Sequence, residues 1–473
     1  MKNKNVLMIL LLSITIVTIG IVFLRKYEND VLLNANYSES KDTLLAITVD
    51  GNEASSFPTS SGYTATVTCT NGTGAATWNG SKWVFSVSTI TANKARCNIS
   101  FEYSPTWDNP GSGTLLAAIK NANTVISSPS TYPGQKISAS NEAALVSKED
   151  DYGTSYYFRG AVTNNFVEYA NMCWRIVRVT GDGSIKLVLY SYNGLTSTNN
   201  IRLSSTPCNT TGTDYAFARY DGTTFQSKFN TTTDDNAYIG LMYGTVGASS
   251  YASAHANNNA STILTSLNLW YTNVLSRQSG FSDSQLADTI WCNDKNVVTD
   301  TTYDPWSIGY GTNYGYGTNI NYYKTLQRLY SRVNNLLVAN PSLVCQNDKN
   351  GGKLSKFTVS DTTYGNGALK NYAKIGLLTA DEVAFAGGAY QLSNTTFYLN
   401  QNATTEIWYT LSPTSFTTNY GTGVFVVDGD DGSKLTNDNA YYDRALRPSI
   451  SLKSKVKITS GSGTASSPYK ISS

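Results

Sequence analysis

The 473 residues carry a net charge of +2, and only 14% of them are charged. Such a chain has no strong field with which to gather nucleic acid or an acidic polymer, so neither is expected as a partner. Tyrosine (33) outnumbers phenylalanine (15), and with abundant Asn, Ser, Thr and Gly this is the composition of a β-rich extracellular protein with room for two or three domains.

Val6–Leu24 is an unbroken apolar run, with Lys2 and Lys4 before it and Arg25-Lys26 after it. Its length suits a bilayer core, which takes about 20 residues, better than a signal-peptide core. No small-residue cleavage site closes it. Residues 1–26 are therefore expected to be a signal anchor, single-pass, with the rest of the chain outside; secretion after cleavage is the alternative. Residues 27–41 read as a linker.

From 42 to 104 the pattern becomes short strands, LLAITVDG, YTATVTCT, KWVFSVST and RCNISFEYS, separated by Gly-rich turns. A small β-sandwich serving as a stalk is expected here, stapled by Cys69 and Cys97, because about 60 residues bury only a marginal core. PTWDNP marks a boundary, and residues 105–150 form a connector. Within it, Thr114–Asn121 predicts a helix, Val125–Gln135 an extended segment and Asn141–Lys148 a helical turn before Asp150-Asp151 and the meander.

Residues 151–456 are expected to form the main domain and 457–473 a tail. Alternation over 155–190 predicts an antiparallel meander: Tyr156–Val162, Phe166–Val179 bent near Ala170-Asn171, and Ser184–Tyr190. Asn164-Asn165 and Gly181-Asp182-Gly183 supply the turns. Beyond it, Ala237–Gly244 predicts a strand and Ala260–Leu275 a helix with Ile263, Leu264, Leu267, Trp270, Tyr271 and Val274 at helical spacing. Ser282-Asp283 opens a short helix, and residues 289–292 read as a strand. Residues 299–319 form a Gly/Tyr/Asn loop. Asn321–Leu337 predicts a helix and Lys374–Leu378 a buried strand. Thr379 with Glu382 makes a capping-box pattern. Ile407–Leu411, Gly423–Val427 and Arg447–Leu452 complete the strands. The fold class is mainly β with short helices (α+β), and the meander and the strands of 407–452 are expected to share one core.

Several segments together are similar to a group of Gram-positive-type bacterial surface proteins of unknown function: DDYGTSYYFRG, FVEYANMCWRIVRVTGDGSIKLVLY and the tail GSGTASSPYK. The C-terminal pieces IGLLTADEVAFAG, EIWYTLSP, GVFVVDGDDGS and ALRPSISL resemble a bacterial domain that is in turn similar to the C-type-lectin and sulfatase-modifying-factor folds. The resemblance spans about residues 105–470. It implies a lectin-like antiparallel domain at the cell surface and carries no catalytic residue with it.

The chemistry-bearing residues are few. The six cysteines, Cys69, Cys97, Cys173, Cys208, Cys292 and Cys345, lack the C-x-x-C spacing of zinc or redox sites. Disulfides are expected, 173–208 and 292–345 among the three pairings open to the last four. His255 is the single histidine, with no nucleophile motif to serve. Asp381-Glu382 is the most conspicuous acidic pair, but neighbouring helix positions diverge and capping accounts for Glu382. Asp428, Asp430 and Asp431 are the one candidate calcium cluster, in a run that also reads as a hairpin tip; no other metal or cofactor is expected. Arg444 and Arg447 flank the last strand, either as buried partners or as ligand contacts. Trp306, Tyr310, Tyr314 and Tyr316 on the long loop are the candidate ligand contacts, since aromatic rings cover sugar or peptide faces at low conformational cost. The expectation is an adhesion or ligand-binding surface protein without catalysis, recognising a cell-wall or host glycan or protein. An extracellular glycan hydrolase and a purely structural envelope protein are the alternatives.

Overall fold

A computed structural model describes residues 43–60, 62–88, 95–137, 142–191, 206–220, 222–309, 311–333, 336–349 and 352–472. The apolar run of 6–24 and the linker lie outside these. The fold is mainly β, in several sheets with a few short helices. Two compact units divide at Gly111/Ser112. Among the described residues no helix is long and apolar enough to cross a membrane.

In the first unit, β1 (Thr43–Val49), β2 (Asn52–Ala54), β3 (Tyr63–Thr70) and β6 (Ala95–Tyr103) form a sheet in the order β2-β1-β6-β3. The hairpin of β4 (Thr73–Trp78) and β5 (Trp83–Ser88) packs on it. Side chains alternate along β3 as the two-residue period requires, so Ala65, Val67 and Cys69 turn to the core while their neighbours face water. Trp83 meets Phe101 edge-on at 4.9 Å. Cys69 stands opposite Cys97 in register, and the two are bonded.

The second unit is built on a nine-stranded sheet. It includes β7 (Val125–Ile126), β8 (Ala143–Asp150), β9 (Gly153–Gly160), β10 (Phe166–Tyr169), β11 (Met172–Val179) and β12 (Ile185–Ser191). Every residue of β11 and β12 is buried. The turn at Gly181-Asp182-Gly183 joins them as expected; Asp182 accepts from the Ser184 amide (2.9 Å), and Gly183 takes a φ of 85°.

Three expectations about this sheet need correction. Phe166–Val179 is two strands, because Ala170 and Asn171 both adopt left-handed conformations (φ 53° and 56°) and close a tight hairpin instead of a bend. Asn164-Asn165 turns no hairpin: β9 and β10 follow one another along the same edge of β11, and Asn165 continues the ladder, its carbonyl accepting from the Ile176 amide and its side-chain amide donating to the Ile176 carbonyl, both at 2.8 Å. The helical turn expected at Asn141–Lys148 is not found among its described residues, 142–148. Its described part belongs to β8, where pairing with β9 over eight positions outweighs the helical propensity of Ala, Leu and Lys. Residues 458–460 and 469–471 are strands too, and the latter pairs with β10.

The strands Ile407–Thr417, Gly421–Asp428 and Lys434–Asn439 form a second sheet rather than extending the first. Only Ser449–Leu452 joins the first sheet, against β12. The helix Ala380–Ala386 links the two sheets, its Phe385 ring 4.7 Å from Tyr157 of β9 and its Ala380 amide bonded to Ser412. The helix Thr262–Asn273 lies where the periodicity places it, with Ser261 as cap.

Other elements are shorter than expected. Residues 237–244 give a 3-10 turn (Asn236–Ile239) and two strand residues, because the Asp235 carboxylate caps Ala237 and closes the turn. Ser282 begins only the 3-10 turn Asp283–Gln285. Of Asn321–Leu337 only Lys324–Leu329 is helical. Asn321 and Tyr322 pair with the second sheet, and a small hairpin begins at Ser331. Residues 375–378 are buried, but Gly376 makes a single bridge to Ser449 rather than a strand.

Candidate functional site: an aromatic cleft over the second sheet

The long loop turns at Asp304, whose carboxylate accepts from the amides of Ile308 (3.1 Å) and Gly309 (3.0 Å) and from the Tyr322 hydroxyl (3.0 Å). Tyr322 is wholly buried, so this knot fixes the loop to the body. Trp306 then stands edge-on to the Tyr322 ring at 5.8 Å, and Ile308 beside it is exposed. Facing them is the hairpin tip of the second sheet. Tyr420 is held by its amide on Thr417 (3.2 Å) and leaves 70% of its surface in solvent. Gly421 follows with φ 67°, where a Cβ would lie 2.4 Å from the Thr233 carbonyl; no other residue fits.

Between loop and tip lies a cleft of about 440 Å³, within the size range of small-ligand sites. Trp306, Ile308, Tyr420 and Tyr442 give it aromatic and apolar walls. Ser415, Thr417, Asn437, Asp438 and Asn439 give it hydroxyl, amide and carboxylate groups. Several of these are braced: Asp438 accepts from Arg444 (2.6 Å), Asn437 from the Tyr390 hydroxyl (2.9 Å), and the Asn439 side chain donates to the Tyr420 carbonyl. A second hollow of about 430 Å³ shares Thr417, Tyr420, Gly421 and Asn439 and continues past Thr233, Asp234 and Asn419. Tyr420 thus stands between two adjoining hollows.

Of the candidate ligand contacts, Trp306 lines the cleft. Tyr314 is half-exposed and stacked on Tyr316 at 5.7 Å, and Tyr316 packs against Ile239 and Tyr251, so neither lines this cleft. Tyr310 lies outside the described residues. The loop alone therefore supplies one of the rings placed on it. Tyr420 and Tyr442 were missed, although a tyrosine between Asn and Gly, as in TTNYGTG, is the signal of an exposed hairpin tip.

The remaining candidates are structural in their surroundings. Asp428 accepts from the Asp431 amide (3.2 Å), and Asp431 pairs with Lys434 at a hairpin tip. Among the described residues no three acidic, histidine or cysteine side chains gather for a metal. Arg444 braces Asp438. Arg447 is fully buried, bonded to the Leu189 and Leu399 carbonyls and lying 4.8 Å over the Trp408 ring; burial pushes its pKa down to about 9. His255 is buried against Tyr251, its Nε2 2.8 Å from the Gly315 carbonyl. Burial first, and then the nearby Lys295, hold its pKa well below the usual histidine value. All six cysteines are in disulfides, 69–97, 173–208 and 292–345.

Glu382 does cap its helix: its carboxylate accepts from the Thr379 amide, and Thr379 accepts from its own amide, both at 3.0 Å. It also takes Arg178 (3.0 Å) and Lys186 (2.7 Å) in a buried network in which Arg178 continues to Asp150. Asp381 joins Asp294 through Arg328 (2.9 and 2.6 Å). About 20 Å³ of open space remains among these charges, room for a water and no ligand.

Compared with known proteins, the chain matches no family model, no curated relative and no solved structure.

Proposed function

We propose that this chain is an extracellular surface protein, anchored in the membrane by residues 1–26, whose second unit binds a glycan without turning it over. The observation that carries the reading is the pair of hollows around Tyr420, with aromatic walls and a floor of braced hydroxyl, amide and carboxylate groups. Sugars present apolar ring faces edged with hydroxyls, and rings that combine area with few rotatable bonds suit the first while fixed polar groups suit the second. Binding is favoured over hydrolysis because Asp438 is held by Arg444 and Asp234 lines the adjoining hollow rather than the cleft, whereas a glycosidase needs two carboxyl groups flanking one bond. The lectin-like relationship belongs to this proposal, as does a sandwich stalk in the first unit.

A glycan and peptidoglycan array probed with the full chain tests it. Trp306→Ala and Tyr420→Ser are each expected to weaken binding about tenfold or more, as central aromatic contacts do. Tyr420 is mostly in solvent, so its loss should leave stability within about 0.5 kcal/mol. Release of reducing sugar would favour the hydrolase, and an array without binding would remove the glycan.

A further inference from the structure

Away from the cleft, Lys295 is 0% exposed. Its Nζ donates to the Met242 carbonyl at 2.9 Å and to the Asn257 carboxamide Oδ1 at 2.6 Å, neither of them a charged partner. The pocket is shaped around this amine. A Cβ at Gly240 would come within 2.8 Å of Nζ, and the Phe357 ring centre lies 5.4 Å from it. Asn257 is held for its part by a left-handed backbone (φ 57°) and by its amide on the Leu354 carbonyl (2.9 Å). A carbonyl carbon sits ~1.23 Å beyond its oxygen, so the Asn257 Cγ is no more than about 3.8 Å from the amine. That is within ~0.8 Å of the ~3–3.5 Å of a near-attack pair, which the amine reaches once rotation about Cε–Nζ turns its lone pair, rather than an N–H, toward Cγ.

We infer that Lys295 and Asn257 become joined by an intramolecular amide bond. The Nζ lone pair adds to Cγ, the Cγ–Nδ2 bond breaks, and Nδ2 leaves as ammonia with a proton taken from the attacking nitrogen. The product is a secondary amide, and no oxidant or energy source is consumed. Burial draws the Lys295 pKa down to about 7, so much of the amine is neutral and nucleophilic near neutral pH. Asp348, buried at 4% exposure, is the acid whose charge acts on Lys295, where it opposes the effect of burial. The bond would tie the segment before the Thr262–Asn273 helix to the residues after Cys292, a region with little regular structure of its own. This inference is independent of the glycan reading.

Mass mapping of the full, reduced chain decides it. Trypsin should fail to cut after Lys295, and residues 278–324 should be recovered joined to 229–277 with the mass of one ammonia missing. Linear peptides ending at Lys295 and carrying an intact Asn257 would overturn the inference.

Discussion

Arg178 and Lys186 are cross-strand neighbours because a bulge between Ile176 and Arg178 slips the register of β11 against β12. Like charges in that position repel, and burial makes matters worse, so Glu382 between them is what lets the sheet carry both. Its position explains its acidity: burial raises the carboxyl, but Lys186 and Arg178 more than reverse this and bring it down to about 2. A depressed folded pKa contributes stability that is present above the ordinary glutamate value of 4.5 and disappears as pH falls toward about 2. Glu382→Gln should therefore cost about 3–5 kcal/mol at neutral pH, the usual effect of leaving buried charge unpaired. It should also flatten the acid limb of the stability curve between those two values. Urea denaturation across pH measures both, and an unchanged acid limb would place the titration elsewhere. The capping half of this residue was legible in the spacing from Thr379. Its ion pairs were not, since they depend on a one-residue bulge that no local pattern announces. The charges inside MCWRIVRV were the available sign.

At the scale of elements, signals read locally did well where the partner was also local. The Gly181-Asp182-Gly183 turn, the Thr379 box and the Thr262–Asn273 helix each rest on contacts within a few residues. Failures came where a distant partner decided. Lys324–Leu329 stops early as Tyr330 gives way to a hairpin, and Arg328 at its end is drawn to Asp294 and Asp381. The aromatic loop was read as a self-contained recognition surface, yet among the described residues it contributes Trp306 and Ile308, and the rest of the cleft comes from residues 415–442, about a hundred residues later. The Trp291–Cys292 strand makes the complementary case: it pairs with Lys356–Phe357 over two positions only. The disulfide to Cys345, closing 53 residues, does much of the holding. Replacing Cys292 and Cys345 together by alanine is expected to lower stability by about 4 kcal/mol in the chain-entropy account. A loss below about 1 kcal/mol, measured by denaturant titration, would credit the Lys356–Asp151 pair (2.8 Å) and the surrounding bonds instead.

For the whole molecule, the distribution of disulfides bears on where the chain works. One lies in the first unit and two in the second, and such bonds persist where the surroundings are oxidising. The proposed anchor at 6–24 gives the complementary half of the argument: about 20 apolar residues span a bilayer core, and an anchor there would put everything after Arg25-Lys26 on one side of it. The two lines predict one outcome in cells making the full chain. The protein should sediment with membranes, external protease should release fragments from both units, and alkylation under denaturing conditions without reductant should find no free thiol. Each arm fails for a different reason. A mature N-terminus beginning after residue 24 means cleavage and secretion, protection from protease means the opposite orientation, and free thiols in a protease-accessible chain would separate the location from the oxidation. Only the combination of membrane retention, outside exposure and six oxidised cysteines puts the Tyr420 cleft where a surface glycan can reach it.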